Sequence, residues 1–143
     1  MRILCVLAVF ISFTACVPKN ASPREEPEAQ FIQMAVRAVD NFHSAVSKND
    51  PSAVCANAEP HAFDAVTKLA CPQFVALLNN KLGAFSDSKR TQTPLASAKP
   101  ALVGLVYQSH YQRGDGRERF TYRFEGGRAI LTVYRITSDA LTR

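Results

Sequence analysis

The chain reads as an α+β domain, with N-terminal helices packed on an antiparallel sheet. Three observations predict it. Apolar residues recur every three or four positions between Glu28 and Leu82, they alternate from Ala101 onward, and Asp115-Gly116 and Gly126-Gly127 punctuate the alternating part. Helices that precede a strand meander are laid over one sheet face. With 143 residues, 47% of them hydrophobic and 20% charged, the chain is long enough for one domain with its own core. That composition excludes a wholly disordered or fibrous protein.

The first element is a targeting segment. Met1-Arg2 supplies a positive start, Ile3 to Phe13 is an almost unbroken apolar run, and small residues precede Cys16. The run is about half the roughly 20 apolar residues that a bilayer span needs. Residues 1–15 therefore read as a signal peptide. Phe13-Thr14-Ala15-Cys16 resembles the bacterial lipobox, with Phe13 where Leu is usual; the resemblance implies lipidation of Cys16. Val17 after the cysteine, in place of Asp, favours the outer membrane, facing the periplasm. The alternative is a secreted or periplasmic protein in which Cys16 stays a thiol. Residues 16–27, with three prolines and no apolar periodicity, read as a flexible tether, which leaves residues 28–143 as the single domain.

The first helix is expected from Glu28 to Lys48, with Ile32, Ala35, Val39, Phe42 and Val46 on its apolar stripe and Asp40 on the wet side. Asp50 and Pro51 cap and start a short second helix. A turn is expected around His61 to Leu69, and Cys71-Pro72 opens a helix that carries Phe74, Val75, Leu78 and Leu82 to a stop at Gly83. Residues 85–98 add a first, less regular strand. Val103, Leu105, Tyr107, Ser109 and Tyr111 then share one strand face. A turn at Asp115-Gly116 sets Tyr111 opposite Phe120 and Tyr107 opposite Phe124. A turn at Gly126-Gly127 sets Phe124 opposite Ala129 and Tyr122 opposite Leu131, with Val133 also inward.

Cys55 and Cys71 remain as one pair once Cys5 leaves with the signal and Cys16 carries lipid. In an oxidising compartment the natural reading is a disulfide, with two buried free thiols as the alternative. The spacing lacks a Cys-x-x-Cys, and no metal site or cofactor is expected. Residues 16–83 carry six basic and seven acidic residues, while residues 84–143 carry ten and five. The excess falls on the outer sheet face as Arg117, Arg119 and Arg123, with Tyr134 beside Arg119, a candidate anion-binding face for an anionic surface or a protein partner. The bland reading is a solvated sheet face whose arginine stems cover apolar neighbours. No nucleic-acid partner is expected.

The run from Leu105 to Ser138, Leu82-Gly83-Ala84 before it and the long first helix together resemble a family of small exported bacterial lipoproteins defined by a domain of unknown function. Its fold resembles nuclear transport factor 2, in which a curved, cone-like sheet wraps around helices. The resemblance spans about residues 29–138, carries no catalytic signature and does not include the Cys55/Cys71 pair. It directs a search for acid–base groups, which turns up Asp40 on the wet side and His43 beside the apolar stripe of the first helix, and Glu118 at an inward strand position in reach of Arg135. No nucleophile elbow, phosphate loop or zinc motif accompanies them. The expectation is a membrane-anchored, non-catalytic interaction or structural module. The alternative is a cone-shaped pocket for a small ligand, or for weak chemistry on it, lined by Phe42, Tyr107, Tyr122 and Phe124. Open volume among those rings favours the pocket and closed packing favours the scaffold.

Overall fold

The computed structural model describes residues 25–142. The stretch read as a signal peptide, Cys16 and most of the stretch read as a tether lie outside them. Helix α1 (Glu25–Ser47) begins three residues before the sequence-based expectation, inside the stretch read as tether. Pro27 sits in its first turn, where the missing N–H has no partner to lose. Ala35, Val39, Phe42 and Val46 are buried as the periodicity requires, and His43 is buried beside them at 2% exposure. No helix among the described residues is long and apolar enough to cross a membrane.

Helix α2 (Pro51–Cys55) starts as expected, with the Asp50 carboxylate accepting from Ala53 N–H at 3.0 Å. Residues 56–70 form irregular turns that bury Ala62 and Phe63. Helix α3 (Cys71–Leu82) follows, and the Cys55–Cys71 disulfide joins its first residue to the last of α2. Gly83 ends α3 at φ 77°, ψ −162°, a region only glycine enters without strain.

The sheet holds five antiparallel strands, β1 (Phe85–Arg90), β2 (Leu95–Ala98), β3 (Ala101–Tyr111), β4 (Gly114–Glu125) and β5 (Arg128–Thr137), before a last short helix, α4 (Asp139–Thr142). Strands β1 and β2 both pair with β3, so residues 85–98 contribute two strands where the sequence suggested one. The β3–β4–β5 meander is as expected, and its inner face meets the helices around one core.

Two registers differ from expectation. Tyr111 faces Gly114 and Tyr107 faces Glu118, so the first hairpin turns on Gln112-Arg113 and not on Asp115-Gly116. Tertiary contacts outweigh the local turn signal there. The Arg113 guanidinium donates to the carbonyls of Asn79 and Asn80 at 2.7 and 2.5 Å, while the backbone N–H groups of Gln112 and Arg113 bond Ala84 and Leu82. Gly116 serves packing: a Cβ there would lie 2.8 Å from Ile136 Cδ1. The displacement is an even number of residues, so every inward side chain stays inward.

The second hairpin keeps Phe124 opposite Ala129 and Tyr122 opposite Leu131, then shifts at a β-bulge, where Thr121 meets Val133. Thr132 is the extra residue, and its hydroxyl donates to Thr121 O at 3.1 Å. One added residue reverses the facing of everything after it. Val133, expected inward, turns outward, whereas Tyr134, expected on the wet face, enters the core together with Ile136.

Candidate functional site

Two features converge on the inner face. The first is a buried polar cluster around Glu118. Alternation along β3 and β4 aims Ser109, Tyr111 and Glu118 inward, the bulge adds Tyr134, and α1 supplies His43 from above. His43 Nε2 lies 2.7 Å from Glu118 Oε2, which also accepts from the Ser109 hydroxyl. Tyr111 and Tyr134 donate to Oε1 at 2.8 and 2.5 Å. An ionised carboxylate only accepts, so Nε2 of His43 carries the hydrogen. The imidazole stacks on Phe85 at 4.1 Å and meets Phe120 edge-on, which fixes its ring plane.

Electrostatics follow from this geometry. Burial on its own raises the Glu118 pKa, but the hydrogen bond and electrostatic pull of His43, with the bonds from Ser109 and Tyr134, outweigh it and hold the carboxyl below its ordinary range. Burial, and then the Glu118 charge, push Tyr134 and Tyr111 upward, so both hydroxyls remain donors. Four donors meet a carboxylate with about four lone-pair sites. Among the described residues no buried side-chain polar atom lacks a partner.

The second feature is a groove of about 360 Å³ between α1, α2 and the β4–β5 hairpin. Buried Phe42, Val54, Tyr122 and Leu131 form its floor, and exposed Arg37, Asn41, Asn57 and Arg128 stand around it. Arg128 donates to Asn57 Oδ1 at 2.9 Å, which ties one side of the rim together. The volume falls within the range of small-molecule sites, and apolar floors with a few polar groups are their usual chemistry.

Of the four expected pocket residues, Phe42 and Tyr122 line this groove. Tyr107, buried like Phe42 and Tyr122, lies outside the groove lining, and Phe124 stacks on Phe31 at 4.8 Å. His43 and Glu118 are brought together, while Asp40 stays exposed on the outer side of α1. Glu118 does not reach Arg135, because the bulge carries Arg135 to the outer face opposite Arg119. Arg117 and Arg119 are exposed on that outer face as expected. Tyr134 is not beside Arg119 but inside the core, and Arg123 is held by Glu59 and Glu125 at 3.0 and 2.5 Å. Among the described residues no group of three or more His, Cys, Asp or Glu is placed to hold a metal ion.

No family profile matches the chain, and no curated protein does. Solved structures do. A nuclear transport factor 2-like protein of unknown function from Silicibacter pomeroyi aligns with a TM-score of 0.57 at 14% identity, over 76% of this chain and 98% of that one. Another from Shewanella baltica, also of unknown function, aligns with a TM-score of 0.55 at 11% identity, over 82% of this chain and 98% of that one. At these identities the likeness establishes the fold, a nuclear transport factor 2-like α+β cone.

Proposed function

We propose that this chain is a lipid-anchored domain of the bacterial cell envelope that binds a small amphipathic ligand in the groove between α1, α2 and the β4–β5 hairpin, without transforming it. The observation that carries the reading is the groove itself: Phe42 and Tyr122, two of the rings that a scaffold would pack shut, border open space of about 360 Å³. Its composition describes the occupant. Phe42, Val54 and Leu131 ask for an apolar body, and Arg37 and Arg128 ask for an anionic or hydrogen-bonding head.

The non-catalytic part rests on Glu118. Its carboxylate is fully buried and already receives four hydrogen bonds, so no acceptor site is left to take a proton from a ligand. Anchoring rests on the apolar run, the small residues before Cys16 and the proline-rich stretch after it. Membership of the exported lipoprotein family with the domain of unknown function is supported by the run from Leu105 to Ser138, Leu82-Gly83-Ala84 and the long first helix.

Anilinonaphthalene sulfonate, an amphipathic anion whose emission rises in apolar sites, tests the groove. Saturable binding at one site per chain is expected. Ala38 lines the groove from α1, and Ala38→Trp fills it and abolishes that binding at unchanged fold. Equal binding by Ala38→Trp, or no saturable binding by the wild type, overturns the reading.

A further inference from the structure

The β5 bulge has a second consequence, on the opposite side of the sheet. By reversing the facing of β5 beyond Thr132 it places Arg135 directly opposite Arg119, with Arg117 two residues along on the same face. Directly opposed side chains in an antiparallel pair have Cβ atoms roughly 5 Å apart, a separation at which like charges destabilise the sheet. The three arginines, with Val106 and Thr137, line a shallow cavity of about 230 Å³. Thr137 lies opposite Arg117, and Val106 lies opposite Arg119.

The neighbouring arginines are neutralised or engaged. Arg123 pairs with Glu59 and Glu125, Arg113 caps the carbonyls at the end of α3, and Arg128 bonds Asn57. Arg117, Arg119 and Arg135 have no ion pair among the described residues. Three guanidinium forks facing one concavity leave a concentration of positive charge that a bound anion would relieve. Each fork presents five N–H donors in one plane. A carboxylate has only two oxygens to share among three forks, whereas a phosphoryl group has three free oxygens and up to two charges.

We propose that Arg117, Arg119 and Arg135 form a binding site for a phosphoryl group on the outer sheet face, separate from the groove. Val106 supplies the apolar floor and the Thr137 hydroxyl a further hydrogen-bonding group at the edge. Two sources share this chemistry, a soluble phosphomonoester or pyrophosphate and a phosphomonoester lipid headgroup, as in phosphatidic acid.

The test uses the purified protein from residue 16 onward, with Cys16→Ser so that neither an acyl chain nor the apolar N-terminal run inserts into lipid, and two probes, inorganic pyrophosphate by calorimetric titration and phosphatidic acid vesicles by co-sedimentation, both at low salt. Wild type binds at least one probe, and binding weakens as salt rises. Arg119→Gln and Arg135→Gln each weaken it roughly tenfold, the size expected for a lost charged hydrogen-bond partner. Arg123→Gln leaves it unchanged, which separates a site from a diffuse positive field. Without ligand, Arg135→Gln melts no lower than wild type, since it relieves a like-charge pair. Pyrophosphate binding identifies a soluble source, and binding to vesicles alone identifies the headgroup. Absence of binding to both probes overturns the proposal, as does an equal effect of Arg123→Gln and Arg135→Gln.

Discussion

Replacing Glu118 by Leu removes the shared acceptor of the buried cluster and leaves His43 Nε2–H and the hydroxyls of Ser109, Tyr111 and Tyr134 in a dry interior. Tyr111 and Tyr134 both donate to Glu118 Oε1, so with the carboxylate gone their hydroxyls can turn to one another and recover part of the loss. Two to three donors then stay unsatisfied, at about 1–3 kcal/mol each, which gives a destabilisation of about 3–5 kcal/mol. That is a large share of the roughly 5–15 kcal/mol that holds a typical domain together. Urea unfolding followed by circular dichroism measures it, and the Tm falls by about 10–20 °C. Glu118→Gln retains one acceptor oxygen but points an amide N–H₂ at other donors, so it loses less, about 1–3 kcal/mol. Acid adds a second signature. Because the folded pKa of Glu118 lies below the ordinary 4.5, its ionic contribution is complete above that value and is lost as pH falls through the folded pKa. Glu118→Gln has nothing there to titrate, so its deficit against wild type shrinks below about pH 4.5. A Glu118→Leu variant within about 1 kcal/mol of wild type, or a deficit of Glu118→Gln that widens in acid, would refute this account of the cluster.

Reducing the Cys55–Cys71 bond, whose ends are 16 positions apart in sequence, lowers stability by about 3 kcal/mol on chain-entropy grounds; a melting curve indifferent to reductant contradicts this. Gly83→Ala forces a side chain into a glycine-only backbone region and against Gln112 Cβ at 3.0 Å, so it destabilises by about 1–3 kcal/mol in the same urea assay. An alanine variant as stable as wild type would remove the strain argument. Metabolic labelling with a fatty acid marks the wild type and not Cys16→Ser; equal labelling of both ends the anchoring proposal.

How far the sequence carried these conclusions depends on the range of the interaction. The apolar steps of α1 and α3 and the phase of β3 and β4 are local, and they place Val39, Phe42, Leu78, Leu105 and Phe120 in the core. The α2 cap at Asp50 and the stop at Gly83 are also local, and both stand where the residues put them. The first hairpin register was not legible, because Asp115-Gly116 carries a turn signature while Gly116 is needed beneath Ile136. The bulge at Thr132 has no compositional mark, so Tyr134 and Arg135 exchanged faces unseen. Glu118 among Ser109 and Tyr111 on inward strand positions was a readable sign of a buried polar cluster, and His43 flanking the α1 stripe was its partner. The groove draws on residues from Met34 to Leu131 and exists only once α2 is packed against the hairpin.

The central claim is that the groove is a ligand site, and the most direct measurement is a structure of the chain with anilinonaphthalene sulfonate bound. The account predicts its rings against Phe42, Tyr122 and Leu131, with the sulfonate between Arg37 and Arg128. A probe found only on the outer sheet face, or a groove that stays empty while the probe occupies another site, contradicts it.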